Sequence, residues 1–152
     1  MVSTPSEALD LSGPEGCVFC SISAGNADAS LVYQNVGVLA LLSLDQPTSH
    51  KVLVTPRQHV ETIFDLEDDQ ARDLFQVAVR LARAIRTASG CSGLSLIQSN
   101  GRAAGQDVPH FHLHLVPRFE ADKIRLEWPA ARAPREELDQ MAASIRSCME
   151  TQ

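Results

Sequence analysis

No stretch of these 152 residues is long and apolar enough to suggest a membrane span, which needs ~20 consecutive apolar residues. The first residues also lack the basic start and apolar centre of a secretory signal, so a cytoplasmic protein with no membrane partner is expected. Positive charge is scarce as well. Lysine occurs twice against eleven arginines, and the net charge is −6, which argues against a broad nucleic-acid-binding surface but leaves room for a local phosphate pocket. Four cysteines are too few and too unevenly spaced for a disulfide framework. Two of them, Cys17 and Cys20, form a Cys-x-x-Cys pair, which in a cytosolic protein points to metal or redox chemistry more than to a bridge. Linkers, internal repeats and low-complexity tracts are absent, so residues 17–152 are expected to form one domain. The first sixteen residues show no apolar periodicity and are expected to be a mobile tail.

What is present is a set of short Val- and Leu-rich runs around one long amphipathic segment. Leu31–Gln34 and Val36–Ser43 read as strands separated by a turn at Asn35, and Lys51–Thr55 as a third strand stopped by Pro56. Asp65 reads as a helix N-cap, followed by Glu67, Asp68 and Asp69 where the positive end of a helix favours carboxylates. Leu74, Phe75, Ala78, Leu81, Ala82, Ile85 and Ala88 then recur at helical spacing as one apolar stripe, and Gly90 can end the helix. Leu94–Ser99 and Phe111–Phe119 read as further strands, split by a loop over 100–109, and Pro134 opens a last helix. Strands grouped around one helix without regular alternation predict an α+β fold. Short connections make its sheet of about five strands antiparallel.

Three of the five histidines lie in His110-Phe111-His112-Leu113-His114. On a strand this period of two places all three imidazoles on one face, with Phe111, Leu113 and Leu115 turned to the core. A half-buried strand whose polar side happens to be histidine would account for one such residue, but hardly for three in strict alternation after a Gly-Gln loop. Two chemistries can use the row. Neutral imidazoles could bind a catalytic zinc with an open position. Alternatively, one imidazole could attack phosphorus while another meets phosphate charge. The loop from Gly101 to Gln106 favours the second, because its small residues let backbone N–H groups approach an anion.

Asn100-Gly101, Gly105-Gln106 and the run His110 to Arg118, with hydrophobic residues between the histidines, together resemble the histidine triad motif. The likeness extends from Cys17 through Val54, Pro56, His59 and the long helix to Arg118. It implies that His112, the middle histidine, attacks the α-phosphorus of a nucleotide and forms a nucleotidyl-histidine that water then hydrolyses. It further implies that His114, the Gln106 side chain and the backbone of Gly105–Asp107 bind phosphate oxygens, and that Asn100 lies near the sugar-phosphate. Magnesium is not required by such a design. The branch of the family that carries zinc is similar to this sequence at Cys17, Cys20, His59 and His110. Those four could complete a closed Cys₂His₂ tetrahedron, a structural rather than catalytic site. Members commonly form homodimers through the long helix and a sheet edge, and a homodimer is expected here.

Three positions depart from the family pattern. Ser43 stands where members commonly carry the Asp that holds the ribose hydroxyls, with Asp45 two residues on as a compensating carboxylate. His50-Lys51 stands where members carry Gly-His, and a lysine cannot act as an acceptor. Asp107 replaces a Ser or Thr beside the phosphate. His50 itself reads as a surface turn residue. The function the resemblance implies is hydrolysis or transfer at the α-phosphorus of purine nucleoside phosphoramidates or adenylates. The alternatives are a diadenosine polyphosphate hydrolase or phosphorylase, and a nucleotide-binding module without turnover.

Overall fold

The computed structural model describes residues 13–151, which fall into two compact units, one through Asp122 and one from Lys123. Residues 1–12 of the expected tail lie outside the described residues. The first unit contains α1 (Val18–Ser23), β1 (Leu31–Gln34), β2 (Val38–Leu42), β3 (Val52–Pro56), α2 (Asp68–Ser89), β4 (Gly93–Ile97) and β5 (Leu113–Arg118). Single 3₁₀ turns lie at Ile63–Asp65 and Arg102–Ala104. The second unit carries α3 (Arg135–Met149), which begins directly after Pro134 as expected and spaces Leu138, Met141, Ala142, Ile145 and Met149 along one helical face. Among the described residues, no helix is long and apolar enough to cross a membrane.

The five strands form one antiparallel sheet in the order β1-β2-β3-β5-β4, as the α+β reading requires. Alternation along the strands sends side chains to two different places. Val38, Ala40, Val52, Val54 and Leu115 face α2 and meet Leu74, Val77, Ala78, Leu81 and Ile85. Leu39, Leu41 and Leu53 face the other way and pack with Phe19 of α1. Burying these rows on both faces fixes the register, since a slip of one residue would exchange them.

Several expected boundaries shift for identifiable reasons. β2 starts at Val38 rather than Val36, because the Asn35 side chain accepts from the N–H groups of Gly37 (3.0 Å) and Val38 (2.7 Å) and keeps Val36 and Gly37 in the turn. Asp65 is not the cap of α2. Its carboxylate accepts from the Thr62 hydroxyl and closes the 3₁₀ turn, and the chain then extends to Glu67, the residue that precedes the first helical turn. Gln70 accepts there from the Glu67 N–H at 3.1 Å, the return half of a capping box. Gly90 ends α2 in the left-handed conformation, φ 68°, as expected. Phe75 leaves the predicted stripe. It is 59% exposed, and Val77 takes the buried place.

Candidate active site and metal centre

The triad segment is only partly strand. Pro109 precedes it, β5 begins at Leu113, and the backbone of His110–His112 is held by other bonds. Phe111 N–H donates to the Val60 carbonyl at 2.6 Å, and the buried Thr55 hydroxyl donates to the Phe111 carbonyl at 2.7 Å. The β3 end therefore sets the heights of His110 and His112. Sequence reasoning did not single out Thr55; its only signal was a polar residue in an otherwise apolar strand.

His110 has no exposed surface. Its Nε2–H donates to the Pro56 carbonyl at 2.9 Å, which leaves Nδ1 as the acceptor nitrogen. Nδ1 lies 3.3 Å from Cys17 Sγ and 3.6 Å from Cys20 Sγ. His59 brings its own Nδ1 to 3.3 Å from Cys20 Sγ, with the two histidine rings edge-on at 5.0 Å. The ligand atoms of Cys17, Cys20, His59 and His110 all lie within 4.8 Å of one another, so these four could hold a metal ion. Burial pushes the Cys20 thiol up to about 12, with Cys17 beside it adding to the shift. Burial likewise pushes His110 down to about 4 against the opposing Pro56 bond. A neutral imidazole is the form that ligates metal, and a bound cation would reverse the thiol's preference. The chain before Cys17 passes over this cluster so closely that a Cβ on Gly13 would lie 2.1 Å from Cys20 Sγ.

His112 is a different kind of histidine. Its Nδ1 lies 2.6 Å from the His110 carbonyl oxygen. A carbonyl only accepts, so Nδ1 carries the proton and Nε2 keeps its lone pair. The Phe19 ring packs at 5.2 Å on one side, and His114 at 4.8 Å on the other. Phe19, between the two cysteines, thus touches both the His110 and His112 rings. Its place in the site carried no signal in the sequence. His114 is pushed down to about 4, first by burial and then by the charges of His112 and Lys51, and is neutral at pH 7.

The loop residues are interlocked. Gly101 and Gly105 adopt φ of 77° and 79°, which a side chain would strain. Gln106 accepts from Gly101 N–H and donates to the Glu61 carbonyl, each at 2.7 Å. Asn100 accepts from Ile63 N–H at 2.7 Å and pairs with Gln98. Both side chains tie the glycine loop to the 61–63 segment in this state. Asp107 is exposed and lines a cleft of about 280 Å³ with Cys17, His59 and Val108. Ser43 lies past the end of β2, its N–H donating to the Lys51 carbonyl at 3.1 Å. Asp45 is exposed beyond it and makes no hydrogen bond among the described residues. His50 occupies the hairpin turn, exposed and at φ 69°, as its reading as a turn residue predicted.

Residues 24–121 match the family model described as the HIT domain. The chain belongs to the histidine triad family. Among its relatives is the "Protein hit" of Bacillus subtilis, 39% identical over 105 residues that cover 69% of this chain and 72% of that protein. An adenosine 5′-monophosphoramidase of Schizosaccharomyces pombe is 27% identical, covering 86% of this chain and 96% of that one. A solved HIT family protein from Bacillus anthracis superposes with TM-score 0.85 at 36% identity, covering 90% and 99% of the two chains. A zinc-bound histidine triad family protein from Mycobacterium smegmatis superposes with TM-score 0.69 at 30% identity, covering 92% and 100%. The family-model match starts after Cys17 and Cys20, so half of the Cys₂His₂ cluster lies outside the general HIT pattern.

Proposed function

We propose that this HIT chain hydrolyses or transfers nucleotides at the α-phosphorus, acting on purine nucleoside phosphoramidates or adenylates through a nucleotidyl intermediate on His112. The observation that carries the reading is the bond from His112 Nδ1–H to the His110 carbonyl, which leaves Nε2 as a free nucleophile. In the first step Nε2 forms a bond to phosphorus as the leaving group departs with its electron pair. The imidazole becomes cationic, so its bond to the His110 carbonyl strengthens as charge develops. Water then attacks phosphorus, the phosphorus–nitrogen bond breaks, and the nucleoside 5′-monophosphate leaves with the imidazole restored. His114, being neutral, donates an N–H to a phosphate oxygen rather than supplying a charge. The backbone of Gly105–Asp107 and the Gln106 amide would meet the other oxygens once the nucleotide draws that amide from Glu61, with Asn100, Ser43 and Asp45 on the sugar side. The similarity to an adenosine 5′-monophosphoramidase supports the substrate class.

Cys17, Cys20, His59 and His110 fit zinc, because two thiols and two imidazole nitrogens converge in one cluster, buried at Cys20 and His110 and half-buried at Cys17 and His59. Zinc with four protein ligands has no open position, so it would tie α1 to the triad segment and take no part in the reaction; the reading gives magnesium no role. Residues 17–152 are read as one histidine triad domain in a cytoplasmic protein. A homodimer is proposed through α2 and the edge strand β4: α2 exposes Phe75 and Val79 between arginines, and Leu96 of β4 is 44% exposed. Sedimentation at equilibrium checks it, a monomer at micromolar concentration being the contrary result. Steady-state assay of the purified protein with adenosine phosphoramidate and diadenosine tetraphosphate tests the activity. Faster turnover of the phosphoramidate is expected. Preference for the tetraphosphate would move the reading to a polyphosphate hydrolase, and binding without turnover of either would leave a nucleotide-binding module.

A further inference from the structure

Lys51 immediately precedes β3. Alternation along that strand sends Val52 and Val54 under α2 and Leu53 to the opposite face with Phe19, so Lys51 projects from Leu53's face, the one that carries His112 and His114. Three bonds to its backbone fix its place: its carbonyl accepts from Ser43 N–H at 3.1 Å and from Gln46 Nε2 at 2.9 Å, and its N–H donates to Gln46 Oε1 at 2.8 Å. On the other side Leu53 pairs with His114, which sets Lys51 diagonally beside the His114 ring, within reach of a long side chain. The ammonium has no hydrogen-bond or ion-pair partner among the described residues. Its charge is nevertheless felt at His114, and no carboxylate is felt there to oppose it. Arg118, further along the same face, is engaged by Asp122 through both Nε and Nη2. Arg102 is exposed on the glycine loop, whereas Lys51 extends from the sheet face that carries the triad and its charge reaches His114.

We infer that Lys51, with the Ser43 residue across from it, forms a second anion subsite that takes a phosphate of the nucleotide other than the one His112 attacks. The inference rests on the nucleotide reading above and extends its substrate class to nucleotides that carry a second phosphate group. That second phosphate has two possible attachments: the next position of a 5′ chain, or an oxygen of the ribose.

Titration calorimetry of the full chain with AMP, ADP and adenosine 3′,5′-bisphosphate separates these. Wild type binds one of the latter two about tenfold more tightly than AMP, the scale of one charge-assisted hydrogen bond, and the tighter one names the attachment. In Lys51→Met the affinity ratio to AMP collapses towards one, and Lys51→Arg restores most of it. Added salt shrinks the ratio in wild type and not in Lys51→Met. Equal affinity of wild type for all three ligands overturns the inference, as does a ratio that survives in Lys51→Met. Should that variant melt early, the wild-type ratio and its loss with salt decide the matter. AMP binding without the ratio contradicts this inference alone; failure of all three to bind contradicts the nucleotide reading and takes the inference with it.

Discussion

His110 and His112 stand two residues apart on one segment, yet they are opposite devices. His110 has no exposed surface, gives its Nε2–H to Pro56 and turns Nδ1 to two sulfurs; His112 gives its Nδ1–H to the His110 carbonyl and keeps Nε2 free. The residue type is the same, and what differs is which nitrogen the backbone has claimed. A carbonyl at Nε2 leaves Nδ1 to face the two sulfurs, and a carbonyl at Nδ1 leaves Nε2 with its lone pair. The His110 backbone links the two, since its carbonyl orients His112 while its ring sits among Cys17, Cys20 and His59.

Exchanging the two side chains' fates breaks the comparison most sharply. His112→Ala should lower kcat by at least about 10³-fold, because covalent catalysis has no substitute nucleophile, while the melting temperature stays close to wild type. His110→Ala should instead lose both metal and stability. Stopped assays beside thermal melts check the pair, and similar melts for both variants would dissolve the distinction.

Next in size is removal of the metal cluster itself. Cys17→Ser with Cys20→Ser, or strong chelation of the wild type, should lower the melting temperature by about 10 °C, since the four ligands come from three distant segments. The metal-free protein should keep some turnover at temperatures where it stays folded, with elemental analysis confirming zinc at the start. Activity that vanishes without zinc and returns with it, at constant fold, would make the metal catalytic.

The pattern of histidines, the Cys-x-x-Cys pair and the long helix were legible in sequence because each is a periodic or paired signal that local geometry reads directly. Gly90 was legible as the end of α2 for the same reason. Asp65 misled, because an Asp before an acidic run fits two adjacent turns, and only the Thr62 hydroxyl decides which one it closes. Phe75 misled because helical spacing alone does not set the edge of the buried stripe; the sheet's registry selected Val77 instead. The tautomer of His112 was beyond the sequence. It depends on how Thr55 and Val60 hold the Phe111 backbone across the fold.

A smaller effect is expected from pH. His114 is held near 4 in the fold against about 6.5 when exposed, so unfolding takes up a proton below that value. Its contribution is fully present above pH ~6.5 and is lost as pH falls towards 4. Melting temperatures measured across that window should decline, and His114→Asn should flatten part of the slope. A slope that His114→Asn leaves unchanged would show that this site does not contribute.

The smallest effect is expected at Gln106. Its amide is engaged with Gly101 and Glu61, so Gln106→Ala should loosen the glycine loop and lower kcat/KM by about 10²-fold without preventing covalent chemistry. An unchanged kcat/KM would place the phosphate elsewhere.

The central claim is that the free Nε2 of His112 attacks phosphorus, and trapping the intermediate tests it most directly. Wild-type protein mixed with adenosine phosphoramidate, quenched rapidly without acid and mapped by mass spectrometry, should carry an adenylyl group on the peptide containing His112. Fragmentation should place the group on that residue. An adduct on His110 or His114, or active turnover with no adduct under conditions that preserve phosphorus–nitrogen bonds, would contradict the account.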